Sequence, residues 1–509
     1  MKQSNKRNES SEGGRNESSE GGRNESSERK LIGSGGYGCV YKPEFKCSTK
    51  SNNSELVLNT NIQTISKIQY LTENEYYFLQ SITNKESEKK GEIIDEKKVL
   101  NSTESGFLNE IYFGKIIKTI PNYYMYFAPI LNYCFIDINS LNTKEILNCF
   151  FENNTGFNED YDSSLKNKKY VNSTIQYIEG STLLNYFKTI LIENSVKKNI
   201  LHFSSNLEYT NHKTKLESSD NESQTAIINT KKINGGGIEK NSDSLDTYVN
   251  QNYESDKPVL AVKPSMPVFF IKKLTQTYRY LFKSIQLLQK GPSSENIITH
   301  YDLKNQNIIY DKKKGIPIII DFGISFNKKN LFEFTHPKEL CKIFYTFYKA
   351  FWWCLDIIII SYIMCVKIKP EHFTNITEFD DIIKKNYETG IVNVDELKRI
   401  CDDFIDKNVI FKEIENLKGS YIDFRKRVKD QWYSYIESFE GKVWRDIISD
   451  LSKRYIYWDI YSISITYLEY LYIFGFLNGD YEIPVFVDEI ITNLHISDLH
   501  KNELQKTIT

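Results

Sequence analysis

The chain has 509 residues, 40% of them hydrophobic and 14% aromatic, so it holds enough apolar material for a large core. Its 65 basic and 67 acidic residues leave a formal net charge of −2, which excludes the overall basic footprint of a nucleic-acid or anionic-membrane binder. The 8 cysteines, Cys39, Cys47, Cys134, Cys149, Cys341, Cys354, Cys365 and Cys401, form no C-x-x-C pair and meet no His at zinc spacing, so reduced thiols are expected. Met1 to Lys30 is polar and offers no apolar stretch for a secretory signal, which points to a cytoplasmic or nuclear location.

The opening repeats the octapeptide Arg-Asn-Glu-Ser-Ser-Glu-Gly-Gly from Arg7 and Arg15, with a truncated copy from Arg23. Such a mixture buries too little apolar surface to offset chain entropy, so residues 1–30 are expected as a disordered tail. Next, Gly33-Ser34-Gly35-Gly36-Tyr37-Gly38-Cys39-Val40 fits G-x-G-x-x-G-x-V and continues as a strand through Tyr41. Glycines there let a strand-turn-strand backbone close over nucleotide phosphates while Val40 packs on the base. A dinucleotide fold would need a helix next. Polar stretches near Lys46–Glu55 and Asn84–Ser105 are expected as surface insertions, and between them Thr64-Ile65-Ser66-Lys67-Ile68 alternates as a short strand.

Apolar residues at helical spacing predict a helix over Phe107–Ile120, ended by Pro121-Asn122. Tyr126–Ile138 and Tyr170–Ile178 read as strands of one sheet. Residues 204–257, rich in Ser, Asn, Asp and Lys and including Gly235-Gly236-Gly237, are expected as a disordered insertion. Val268–Gln289 then reads as a long amphipathic helix.

His300-Tyr301-Asp302-Leu303-Lys304-Asn305-Gln306-Asn307 lies between apolar flanks at Ile297-Ile298 and Ile308-Ile309-Tyr310. Phosphoryl transfer needs a carboxylate to take the acceptor proton, a cation near the transferred phosphate and an oxygen ligand for magnesium. Asp302, Lys304 and Asn307 supply those types. Downstream, Ile316-Pro317-Ile318-Ile319-Ile320 reads as a buried strand delivering Asp321-Phe322-Gly323, with Pro317 near its start, where a missing donor is tolerated. A carboxylate at a strand end is suited to hold a metal between phosphates. The apolar run Phe351 to Val366 contains Asp356 and falls short of the ~18 to 20 apolar residues of a membrane span, so it reads as a buried helix. Glu378–Lys453 looks helical and polar, and the chain from Tyr455 apolar and helical.

These motifs in this order resemble the eukaryotic protein kinase superfamily from about Leu31 to Leu504. The resemblance implies an α+β, bilobal fold with a small β-rich lobe (about 31–178), a hinge (about 176–180) and a larger helical lobe (about 181–509) interrupted by the insertions 204–257 and 378–453. It implies ATP with magnesium or manganese and protein substrates, while the charge balance and the interrupted apolar run speak against nucleic acid and stable membrane insertion. Gly33, Ser34, Gly35, Gly36, Tyr37, Gly38 and Val40 would cover the nucleotide. Lys67, with Lys42 as the competitor, would pair with Glu110, with Glu75 as the competitor, and hold the phosphates. Gln176 and Ile178 would meet the adenine through their backbone, with Ile175 limiting the pocket's depth. Asp302 would be the base, Lys304 a phosphate contact that is typical of the Ser/Thr branch, and Asn307 and Asp321 metal ligands. Asp459, in Trp458-Asp459-Ile460-Tyr461-Ser462, would brace the catalytic loop.

The sequence departs from the family at three places. Tyr301 replaces the arginine that receives an activation-loop phosphate, which predicts activity independent of that phosphate. Trp353-Cys354-Leu355-Asp356 stands for the Ala-Pro-Glu close, with Asp356 as the acid. No arginine for that acid is found near His500, Lys501 and Asn502. A short segment followed by a Trp-containing apolar stretch and an insertion looks like the divergent kinases of large DNA viruses. Two other readings stay open: a pseudokinase scaffold, and a small-molecule or lipid kinase on a related fold.

Overall fold

The computed structural model describes residues 30–35, 38–45, 62–86, 106–136, 169–198, 265–291, 297–332, 337, 340, 343–344, 350–368, 376–417, 419–477 and 484–494. Outside the described residues lie the tail before Lys30, Gly36, Tyr37, residues 46–61 and 87–105, the insertion 204–257, and His500, Lys501 and Asn502.

The architecture is α+β, with a sheet-rich N-terminal part and a mostly helical C-terminal part. A five-stranded sheet runs in the order β1-β2-β3-β6-β5, from β1 (Lys30–Gly35), β2 (Gly38–Lys42), β3 (Thr64–Leu71), β5 (Ile130–Ile136) and β6 (Lys169–Gln176), all neighbours antiparallel. On β3, Ile65 and Ser66 are both buried, as are Ile68 and Gln69, because the central strand is covered on both faces. One covering is a small cluster of Cys39, Tyr41, Phe45, Ile68 and Tyr170. Helix α1 (Glu73–Glu86) follows β3, and α2 (Phe107–Ile117) follows later.

Helix α2 stops three residues short of the expected Ile120. Pro121 disfavours helical backbone in the residue before it, and Lys118 to Ile120 turn instead. A second correction concerns Tyr126–Ile138, expected as one strand. Pro129 divides it, and β4 (Phe127–Ala128) leaves the first sheet to pair in parallel with β10 (Ile316–Ile320). The second sheet has the order β4-β10-β9-β7, with β7 at Gly180–Thr182 and β9 at Ile308–Asp311, while β8 (Ile298–Thr299) pairs with β11 (Phe326–Asn327).

The helices of the C-terminal part are α3 (Leu183–Lys198), α4 (Val268–Lys290), α5 (Lys328–Phe332), α6 (Leu355–Tyr362), α7 (Ile376–Thr389), α8 (Val394–Lys407), α9 (Val409–Asn416), α10 (Phe424–Glu437), α11 (Trp444–Ser452), α12 (Trp458–Ile473) and α13 (Val485–Thr492). The apolar run becomes α6, whose eight residues are all buried, followed by a π-helical turn at Ile363–Ile368. Among the described residues no helix is long and apolar enough to cross a membrane. In α8 the buried Val394, Leu397, Cys401, Phe404 and Ile405 recur at helical spacing, and the Asn393 side chain accepts from the Glu396 N–H to cap its start. Helix α12 is enclosed on nearly every side, from Trp458 to Leu471.

The cysteines need a correction. Cys39 and Cys134 are each disulfide-bonded, though not to each other, since β3 and β6 lie between their strands, whereas Cys354, Cys365 and Cys401 are free thiols. Spacing along the chain carried no signal of this bonding.

Candidate active site

The loop His300–Asn307 is suspended between β8 and β9, and its backbone is held from afar. Asp459, 1% exposed at the start of α12, accepts the His300 N–H on Oδ2 at 2.8 Å and the Tyr301 N–H on Oδ1 at 2.9 Å. Burial pushes the Asp459 carboxyl up, against the opposing pull of His300 and the two N–H donors. Tyr301 has φ +70°, a left-handed backbone that a bulky residue keeps only when its surroundings over-determine it. The His300 ring joins in: Nε2 meets the Ile320 carbonyl at 3.0 Å and Nδ1 accepts from the Asp302 N–H at 3.3 Å, which assigns the proton to Nε2.

Within the loop the three expected chemical groups are joined. Lys304 Nζ donates to Asp302 Oδ2 at 2.8 Å, and Asn307 Nδ2 donates to the same oxygen and to the Asp302 carbonyl, each at 2.9 Å. The amide nitrogen of Asn307 is thereby committed, which leaves its oxygen as the group able to meet a cation. Asn305, unnoticed in the sequence, accepts from the Leu184 N–H at 3.0 Å and the Tyr470 hydroxyl at 3.1 Å, tying the loop to α3 and α12.

Strand β10 ends at Ile320 and delivers Asp321, whose φ of +64° is again left-handed. Burial works against its charge, but Lys67, His300, the Gly323 N–H and Glu110 outweigh it and hold the carboxyl below its ordinary value. Phe322, 1% exposed, is wedged between the rings of His300 and Phe127.

Lys67 and Glu110 meet at 2.7 Å across 43 residues of sequence. Lys67 stands on β3 opposite Val40 of β2 and Ser173 of β6, and Glu110 projects from the first turn of α2. Burial lowers the Lys67 ammonium, but Glu110 and Asp321 more than compensate and leave it raised. Burial pushes Glu110 up to about 7 against the pull of Lys67, and the charge of Asp321 adds to the rise. The two competitors are elsewhere. Glu75 accepts from the Thr72 N–H and hydroxyl at 3.0 Å, a helix cap, and Lys42 lies over the Tyr177 ring at 3.6 Å.

Asn109, one residue before Glu110, went unnoticed in a chain rich in asparagine. Its Nδ2 donates to the Gly323 carbonyl at 3.1 Å and the Ser325 carbonyl at 3.4 Å, so α2 holds the backbone just after Asp321. Gly33, Ser34 and Gly35 lie on β1, with Gly35 opposite Gly38. A side chain at Gly38 would strike the Ile68 carbonyl at 2.5 Å, so this glycine serves strand packing. Gln176 closes β6, where its side chain donates to the Tyr124 carbonyl at 3.2 Å, and the half-buried Ile178 lies on the link to β7.

Two further contacts bear on the loop. Arg454, just before α12, pairs with Asp356 of α6 at 3.4 Å, both 7% exposed or less. This corrects the expectation that the acid has lost its arginine: the partner comes from the segment before α12 and not from the end of the chain. The guanidinium also lies over Trp432 and Tyr435 of α10, and the pair borders a cavity of about 90 Å³. Next to Asp356, Trp353 Nε1 donates to the Tyr301 carbonyl at 2.8 Å, and the Trp352 ring lies 5.3 Å from Lys304 Nζ.

Asp321 and Asn307 present a carboxylate and an amide oxygen, donor types that a magnesium ion accepts. Among the described residues no cluster of three or more His, Cys, Asp or Glu could cage a metal. A carboxylate and an amide oxygen are instead what such an ion takes when substrate phosphates complete its shell. No protein-family model matches the sequence, and no curated protein matches it.

Proposed function

We propose that this chain is an ATP-dependent serine/threonine protein kinase with a kinase-like bilobal fold. The observation that carries the reading is the Lys67–Glu110 pair, formed by residues 43 apart and set beside Asp321. Chance placement in a Lys- and Asn-rich chain gives no reason for such a bond between two largely enclosed ionisable groups next to a third. The braced set Asp302, Lys304 and Asn307 supports it further.

In this reading Lys67, oriented by Glu110, holds the α- and β-phosphates, and Asn307 and Asp321 hold magnesium. Bound magnesium neutralises charge on the phosphates. Asp302 orients the acceptor hydroxyl and takes its proton as the oxygen–γ-phosphorus bond forms. The bond from the γ-phosphorus to the bridging oxygen breaks and ADP leaves, while Lys304 steadies the transferred group.

The test is transfer from ATP with magnesium or manganese to a generic protein substrate, with Asp302→Asn and Asp321→Asn alongside. Wild type is expected to transfer phosphate and to be stabilised by ATP, and the variants to lose transfer. ATP binding without transfer points to a scaffold, and transfer to metabolites alone points to a small-molecule kinase. The absence of both ATP binding and transfer removes the reading.

A further inference from the structure

Resting on the kinase reading, we propose that Trp353 is a positioning residue, a built-in latch that holds the catalytic loop ready without a phosphate on the segment before it. Tyr301 occupies the place where a charged clamp would need a phosphate to hold it. Here its ring is 1% exposed and stacks on Trp353 with centroids 5.1 Å apart and planes 25° from parallel. Phe326, Phe344 and Trp458 close around it at 5.4, 6.0 and 6.4 Å. No charged group is needed in such a nest, and a phosphate there would be desolvated against aromatic rings.

The latch acts on the backbone as well. The left-handed Tyr301 has its N–H taken by Asp459 and its carbonyl taken by the Trp353 indole, so both backbone polar groups of the strained residue are fixed by side chains. The next residue is Asp302. The neighbouring Trp352 places its ring face 5.3 Å from the Lys304 ammonium, a cation–π contact on the group that bonds Asp302. Helix α12 carries both halves of the device. Its Asp459 holds the loop, while its Ser462 donates to the Trp352 carbonyl at 2.7 Å and its Tyr461 to the Phe351 carbonyl at 3.5 Å.

Trp353→Phe keeps a ring for the stack and removes the indole N–H, so it isolates the bond to the Tyr301 carbonyl. Three readouts separate positioning from bulk packing: kcat against KM for ATP, hydrogen exchange of the amides of residues 300–307, and the rate of phosphatase-treated wild type. The expected result is a fall in kcat of about tenfold, in line with one lost buried hydrogen bond, with KM for ATP unchanged and faster loop exchange. The phosphate-free wild type keeps its rate. Unchanged kcat and exchange in Trp353→Phe overturn the latch, and so does loss of rate on phosphatase treatment, which decides the matter even where the variant does not fold. A wild type that transfers no phosphate defeats the kinase reading alone, because the exchange comparison still establishes or removes the latch.

Discussion

Replacing Asp459 by Asn perturbs the loop His300–Asn307 without changing any of its own residues. The carboxylate takes two backbone N–H groups, at 2.8 and 2.9 Å, in a site 1% exposed. An amide keeps one oxygen and turns an NH2 toward the second N–H, so one charge-assisted bond is lost and two donors face each other. Such a bond is worth about 1.5 to 3 kcal/mol. Burial already raises the carboxyl and offsets part of the gain from its charge, which places the loss near the lower end, about 2 kcal/mol. A chain of this size need not unfold in one step, so a local measurement is the suitable one. Native-state hydrogen exchange should show the amides of His300 and Tyr301 opening about 30-fold faster in Asp459→Asn. On the proposed kinase function phosphotransfer should fall with them, while the amides of the five-stranded sheet stay as they were. Wild-type exchange at both amides would refute the brace.

Arg454→Met removes the cation paired with the buried Asp356 and should cost about 3 to 5 kcal/mol, whereas adding Asp356→Leu should recover most of it, both measured by chemical denaturation. Gly180→Ala should destabilise by about 3 kcal/mol in a thermal melt, because its methyl would fall 1.8 Å from the Tyr310 carbonyl oxygen, a backbone atom of the paired strand β9. Lys118 donates to the Leu131 carbonyl at 3.1 Å, and burial, with the charge of Lys115, lowers it to about 8 from 10.5. The folded chain then binds fewer protons than the unfolded one between those values, so stability rises with pH across that window. Relative to Lys118→Met, wild type should therefore gain about 3 kcal/mol between pH 7 and pH 10.5, and a flat difference would contradict the lowered value.

What could be read in the sequence was what is written in one short string. The loop from His300 to Asn307 and the strand ending in Asp321 carry their chemistry at fixed spacing, and helical periodicity alone puts Glu110 on a helix. What escaped depends on partners far away. Arg454 has meaning only once α6 and α10 have packed around it, far in sequence from the His500 region where chain order would place such a partner. Asn109 looked like one asparagine among many until α2 met Gly323. The two tryptophans were absorbed into a stretch read for its hydrophobicity, which hid the one polar atom of Trp353. Pro129 was visible, but only β10 lying alongside shows that the strand it interrupts changes sheets.

The separation of 158 positions from Tyr301 to Asp459 also sets an order of events during synthesis. The ribosome adds about 5 to 20 residues per second, so the loop waits roughly 8 to 30 s for the helix that fixes it. Local elements form in microseconds to milliseconds. The N-terminal sheet therefore has time to fold long before the loop gains its brace, and a growing chain that already holds Lys67, Glu110 and Asp321 lacks the two Asp459 bonds until α12 is made.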